Sequence, residues 1–223
     1  MAAIDYLLYI LYEYNTTSLW NEGDAMLEKC AKALKENGFD AEILDTPAEV
    51  AQRVMQLIPQ GADVGVGGSV TVQSLGLREK LIERGNKVHW HWYDGITDEV
   101  FQKAAAAPYY MCSANAITMQ GEIVNVDGRG NRVAAAISPA NTLIIIAGRN
   151  KIAKDYDAAI DRVHNVASPP NAKRQGKKTP CAEIGRCTDC SSPDRMCLIT
   201  VVLNKAMRNK KIHVLLVDEE LGY

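Results

Sequence analysis

Apolar and polar positions recur along this chain in two periods, and the switches between them mark out the elements. Residues 1–14 carry Tyr6, Tyr9, Tyr12 and Tyr14 among Leu and Ile, a three-residue recurrence that predicts a helix, read as a packing helix or a self-association surface. Over 21–37, Ala25, Leu27, Ala31 and Leu34 alternate with Lys and Glu as on an amphipathic helix, which Asn37-Gly38 ends. Phe39 to Leu44 reads as a strand. Thr46-Pro47-Ala48-Glu49 then has the form of a capping box with proline at the first helical position, and Pro59 stops that helix. Further strands are expected over Ala62 to Val66, Lys87 to Trp92 (with His89 and His91 sharing a face) and Tyr109 to Ala114, with helices over Val70 to Arg84 and 97–107 between them.

Beyond these, Met119-Gln120-Gly121 reads as the turn of a hairpin. Leu143 to Ala147 is apolar at every position, as in a strand covered on both faces. Residues 154–167 predict a helix, the chain turns polar and basic from Ser168-Pro169-Pro170 to Lys178, and His213 to Val217 is a last apolar strand. The repeated helix–strand rhythm predicts an α/β fold, a mostly parallel sheet flanked by helices.

Hydrophobic residues make up 47% of the 223, enough to build a core, so general disorder is excluded. The longest apolar stretch near the start, Tyr6 to Tyr12, is far short of the ~20 residues a membrane span requires. It follows Asp5 and leads to no small-residue cleavage site, so a secretory signal is not expected and the cytoplasm is the expected compartment. In that compartment six cysteines are not expected to form structural disulfides. The net charge of −2 argues against a globally basic nucleic-acid binder, but it hides an asymmetry. From Arg149 to Lys211 there are 14 Lys and Arg against 6 Asp and Glu, a balance of +8, so the remainder carries −10. No aromatic residues interleave with the charges of its central part, Lys173 to Arg195, so nucleic acid is not an expected partner.

The basic run surrounds Cys181, Cys187, Cys190 and Cys197, spaced C-x5-C-x2-C-x6-C. Both sulfurs of a CxxC can turn to one centre, and longer flanks bring two more from the sides. A [4Fe–4S] cluster takes four thiolates in irregular spacings of this kind. Structural zinc also takes four, usually as two close pairs, and a redox dithiol is a third use. A four-thiolate cluster is an anion, which Lys173, Arg174, Lys177, Lys178, Arg186 and Arg195 would offset; part of that run is simply solvated surface. Cys30 and Cys112 fall in a predicted helix and strand and read as small buried hydrophobes.

Two polar loops carry the remaining chemistry. Gly67-Gly68-Ser69-Val70-Thr71 joins a strand to a helix; it is neither a dinucleotide fingerprint nor a P-loop, and reads equally as a tight turn capped by Ser69 or as an anion cradle. The second set is Asn115, Glu122, Asn125, Asp127, Gly128, Gly130, Asn131 and Arg132, richer in polar groups than a turn needs. Gly148-Arg149-Asn150-Lys151 closes the apolar strand. In an open parallel sheet ligands sit beyond the strand carboxyl ends, where Gly67, Asn115 and Lys151 all fall, so they are expected to converge. Gly67, Gly68, Ser69, Thr71, Asn115, Gly130, Asn131 and Lys151 are the candidate binding residues for a small carboxylate or other small anion, and Glu122 and Asp127 the candidate proton-moving carboxylates.

These residues resemble the LUD-domain, or lactate-utilisation, family. The resemblance rests on Gly67-Gly68-Ser69-Val70-Thr71, on Ser113 to Thr118, and on Gly121 to Ala135 with its central Asp127-Gly128-Arg129-Gly130-Asn131-Arg132. Gly148-Arg149-Asn150-Lys151, Asn171-Ala172-Lys173-Arg174 and the run from Thr179-Pro180-Cys181 to Cys197 resemble its cysteine-bearing branch. It covers 22–223, including the cysteine-rich segment 179–198, and leaves 1–21 as a tyrosine-rich helix or extension. It implies a fold similar to the NagB/RpiA/CoA-transferase group, and an iron–sulfur protein of lactate or 2-hydroxy acid utilisation with iron–sulfur redox partner proteins. Ser138-Pro139, where Gly-Pro is usual, and the aromatic run His89-Trp90-His91-Trp92 depart from the pattern. Two other functions fit the same residues: a non-redox enzyme using an open-site [4Fe–4S] cluster as a Lewis acid, and a zinc-stapled regulatory or assembly protein. A homo-oligomer is compatible with any of the three.

Overall fold

A computed structural model describes residues 25–223; the tyrosine-rich segment 1–21 lies outside the described residues. The elements run α1 (25–36), β1 (Asp40–Leu44), α2 (Pro47–Leu57), β2 (Asp63–Val66), α3 (Val70–Ser74), α4 (Leu77–Glu83), β3 (Lys87–His89), α5 (His91–Asp94), α6 (Asp98–Ala106) and β4 (Tyr109–Cys112). They continue as β5 (Ala116–Thr118), β6 (Ile123–Asp127), α7 (Asn131–Ile137), β7 (Thr142–Gly148), β8 (Ile152–Ala153), α8 (Tyr156–Arg162), α9 (Ser168–Arg174), α10 (Pro180–Ile184), β9 (Ile199–Leu203) and β10 (Ile212–Val217).

Six strands form one parallel sheet in the order β1-β10-β7-β4-β2-β3. The expected α/β architecture is present. β7 shows why its sequence is apolar without alternation: Ile144 and Ile146 pack on one face of the sheet with Val72, Leu77 and Trp90, while Leu143, Ile145 and Ala147 pack on the other with Leu34 and Tyr110. A second sheet, β8-β5-β6-β9, contains the expected β5–β6 hairpin. Its Ile117 and Ile123 join the main core, and its Val124 and Val126 pack under Ala159 and Val163 of the α8 region. The helices thus enclose two sheets, not one.

Several boundaries differ from the sequence expectation, each for a local reason. The helix expected over Val70 to Arg84 is two helices, broken where Gly76 takes a left-handed φ of 59°. The strand expected over Lys87 to Trp92 ends at His89, because Asp94 accepts from the Trp90 amide and turns the next residues into α5. His89 then bonds Asp63 at 3.0 Å while His91 faces the Gly68 loop, so the two histidines do not act as a pair. The polar stretch after Ser168 is helical: α8 passes through a π-turn at Val163–Ala167 into α9, whose first turn accommodates Pro169 and Pro170. The Thr46 cap forms as expected, with Glu49 reaching back to the Asp45 amide. Among the described residues no helix is long and apolar enough to cross a membrane.

Gly65 shows how closely the helix layer sits on the sheet. A Cβ there would lie 2.1 Å from the carbonyl oxygen of Ala104 in α6, backbone that has no rotamer to escape into. Gly65→Ala should therefore destabilise the fold by about 1–3 kcal/mol in urea unfolding. An unchanged midpoint would show that α6 does not pack this tightly.

Candidate functional site

Parallel strands β2, β4 and β7 are sheet neighbours, so their carboxyl ends deliver three loops to one place. Lys151 follows β7, Ser113 follows β4 and Thr71 lies in α3 after β2. The Lys151 Nζ is 2.8 Å from the Thr71 Oγ1 and 2.8 Å from the Ser113 Oγ. Lys151 is only 4% exposed, with Thr71 and Ser113 also buried. Burial, helped by the charges of Arg162 and Arg132, pushes the amine down to about 7.

The two arginines are the cationic surroundings. Arg162 projects from α8 and donates to the carbonyls of Asn150 and Asn115, 2.7 Å each. Arg132, at the start of α7, donates to the Val126 carbonyl and lies 3.4 Å from Asn115 Oδ1 and 3.5 Å from Asn125 Oδ1. Gly67 is glycine because Arg132 lies on it: a Cβ there would be 2.6 Å from the arginine's Cγ. Gly68 backs onto His91 and Trp92, Ser69 caps α3 through the Val72 amide, and Asn131 donates to the Tyr110 hydroxyl beside Gly67. Gly130 holds the left-handed position that opens α7.

The two candidate carboxylates stand differently. Asp127 accepts from the amides of Gly128, Arg129 and Arg132 and pairs with the Arg132 Nε at 3.5 Å, so it fastens the loop. Glu122 sits at the β5–β6 turn, its carboxylate accepting from Thr118 Oγ1 and in no contact with Lys151 or the arginines. Of the three cations, only Arg132 has a carboxylate partner among the described residues.

The cysteine segment adjoins this site. The Leu198 amide donates to the Asp127 carbonyl, and Gly128 touches the backbone of Met196, so both neighbours of Cys197 pack on the Asp127 loop. Arg174 of α9 stacks on Trp92 at 4.5 Å, next to Gly68. Within the segment, Arg195 donates to the carbonyls of Cys190 and Cys197 and pairs with Asp189. Asn165 accepts from the Cys187 amide, and the Asp189 amide lies 3.3 Å from the Cys187 sulfur. All four cysteines are free and half-buried. They suit a thiolate-bound centre in kind, but among the described residues no three Cys, His, Asp or Glu side chains are gathered to hold a metal ion. Cys30 and Cys112 are fully buried, their thiols pushed up by burial to about 12 and about 11.

Arg162, Ser113 and the final residues escaped the sequence reading. Arg162 sits one position from Val163 on the buried side of its helix, and a charge at an apolar-face position was the available signal. Leu221 accepts from Thr71 and donates to Asn150 across the site, a contact between residues 150 apart that no local pattern announces.

The LUD domain family matches residues 27–217. Among solved structures the chain is similar to a DUF162 family protein from Deinococcus radiodurans, with a TM-score of 0.53 and 11% identity over 87% of this chain and 98% of that one. No curated protein matches.

The buried amine sets a pH signature. The folded chain binds fewer protons than the unfolded one between about 7 and the ordinary lysine value of 10.5, so stability should rise with pH across that window. In Lys151→Met the rise should be smaller, as read by denaturant unfolding at several pH values. Equal slopes in the two proteins would contradict the buried, unpaired amine.

Proposed function

Because the chain belongs to the LUD domain family, we propose that it serves the use of lactate or a related 2-hydroxy acid, holding a small carboxylate beside Lys151 and Arg132 and a [4Fe–4S] cluster on Cys181, Cys187, Cys190 and Cys197. The observation that carries this reading is charge imbalance: Lys151, Arg132 and Arg162 meet one carboxylate, Asp127, which bonds Arg132. Buried or partly buried charge is costly unless paired, and a bound carboxylate supplies the missing partner. Gly67, having no side chain, lets Arg132 lie directly on the loop that follows β2. Asp127, already bonded to three amides, keeps Arg132 in place.

A [4Fe–4S] cluster bound by four thiolates supplies one-electron transfer. The chain's own contribution there is tethering and charge. Arg195 ties Cys190 to Cys197, and Lys177 and Lys178 just before the segment and Arg186 within it would offset an anionic centre. The packing of Met196 and Leu198 on the Asp127 loop sets the cysteine segment next to the carboxylate site, which favours a redox role over a distant staple. Iron–sulfur proteins are the corresponding exchange partners.

Anaerobically purified protein should contain iron and sulfide in equal amounts, show visible absorbance that reductant bleaches, and lose both in Cys187→Ser. Zinc in place of iron would favour the zinc-stapled alternative, and protein holding neither would overturn the cluster. Carboxylate binding is tested separately by lactate titration calorimetry. Lys151 is charged below about 7, so affinity should fall as pH rises through that value. Arg132→Met should weaken binding roughly tenfold or more, the loss of one charge-assisted contact. Lactate binding unaffected by both pH and Arg132→Met would reject the site.

A further inference from the structure

We propose that Lys151 is a carbonyl-condensing amine whose Nζ forms an imine with the ketone carbon of a small 2-oxo acid. The proposal rests on the carboxylate site described above and names a reaction there with the oxidised form of the acid.

A comparison within the molecule separates Lys151 from a structural lysine. Lys210 is almost as buried, at 7% exposed against 4%. Its Nζ is surrounded by oxygens that only accept: the carbonyls of Ala135, Ser138 and Asn141 and the Asn141 side chain. That is the setting of an ammonium used as a clamp, its charge favoured by four acceptors even as burial pushes the amine down to about 8. Lys151 meets two hydroxyls instead, groups that donate as well as accept.

Hydrogen-bond bookkeeping assigns the two hydroxyls different tasks. Thr71 donates to the Leu221 carbonyl at 3.1 Å, so toward Lys151 its oxygen accepts. Ser113 donates to the Ala114 carbonyl at 3.3 Å, the longer and weaker of the two bonds, so it is the hydroxyl whose proton can turn to the lone pair of a neutral amine. The charges of Arg162 on α8 and Arg132 on α7 act on the amine and the Cys112 thiol of β4 opposes them; burial and the two guanidiniums keep it largely neutral above about 7.

In the reaction the acid's carboxylate rests on Arg132, and the Lys151 nitrogen attacks the adjacent ketone carbon. The amine gives up two hydrogens, the ketone gives up its oxygen, and one water leaves. Ser113 relays the proton to the departing oxygen. The step is reversible and needs no oxidant or reductant. Leu221 and Gly222 cover the amine: a Cβ at Gly222 would lie 2.6 Å from Thr71 Oγ1 and 3.5 Å from Lys151 Nζ, so these residues part to admit the ketone.

The test is borohydride trapping with pyruvate, read by intact mass and peptide mapping, alongside pyruvate calorimetry on the same protein. The reduced adduct is expected on Lys151, absent in a folded Lys151→Arg protein, and roughly a hundredfold slower to form in Ser113→Ala, the low end of the scale of a lost proton relay. Its rate should rise with pH through about 7, opposite to the trend for ground-state carboxylate binding. An adduct on exposed lysines alone, equal in Lys151→Arg, would overturn the imine. Pyruvate binding without any trapped adduct would also overturn it and leave the carboxylate site standing. Neither binding nor adduct would remove both. Should Lys151→Arg fail to fold, the Ser113→Ala rate and the peptide map decide.

Discussion

The structure is organised around one amine that has to be kept out of water without a counter-ion. A buried lysine with no carboxylate is costly, and only contacts fixed from several directions hold it there. Those contacts come from the ends of three neighbouring parallel strands: Thr71 after β2, Ser113 after β4 and Lys151 itself after β7. A strand order that separated β2, β4 and β7 would part these loops. The apolar run of β7 is thus the support of the site as well as the centre of the core, since its last residue, Gly148, is followed within three positions by Lys151. Gly148 itself abuts Glu219 and Leu221, which brings the end of the chain across the same place.

The second organising feature is the loop that begins at Asp127. Its side chain gathers the loop's amides and holds Arg132, while its carbonyl takes the amide of Leu198. One residue therefore touches both the cationic site and the cysteine segment. The five turn-forming residues from Asp127 to Asn131, three polar and two glycine, are more than a turn requires because they serve two neighbours. Arg174 of α9, ahead of the segment, stacks on Trp92 beside the Gly68 loop. The chain is thus held on both sides of the four cysteines, by Arg174 before them and by Leu198 on Asp127 after them.

Elements whose signals are local were legible in the sequence. The Thr46 cap, the apolar β7 and β10 and the Met119-Gln120-Gly121 turn depend on neighbours within a few residues, and each forms where expected. Misreadings arose where a contact overrode a local signal. Asp94 pulling on the Trp90 amide converts an apparently extended aromatic run into a helix, and two prolines that look like the end of order sit in the permissive first turn of α9. β8 and β9 were invisible because they are short or lie beside the cysteine loop and are defined by partners far away in sequence. The site followed the same division. The glycine loop, Asn115 and Lys151 were placed by the rule about strand ends, whereas Arg162, Ser113 and the Leu221 crossing needed the three-dimensional contacts.

The proposed anion binding and amine chemistry ask opposite things of Lys151, since the first is helped by its charge and the second requires its loss. The arrangement of the site reconciles them by dividing the labour. Arg132 is fastened by Asp127 and does not depend on Lys151 for its position, so in the proposed site it would hold the carboxylate whether or not Lys151 is protonated. A 2-oxo acid carries its ketone on the carbon next to that carboxylate, which turns the reactive carbon toward the neighbouring amine. A 2-hydroxy acid held in the same way offers no carbonyl, and with it Lys151 can act only as a charge or a hydrogen-bond donor. The same residues would then distinguish the two oxidation states of one acid: the reduced form bound more tightly when the amine is charged, the oxidised form captured when it is not. That distinction has use only where oxidation of the acid takes place nearby, and the cysteine segment lies one loop away.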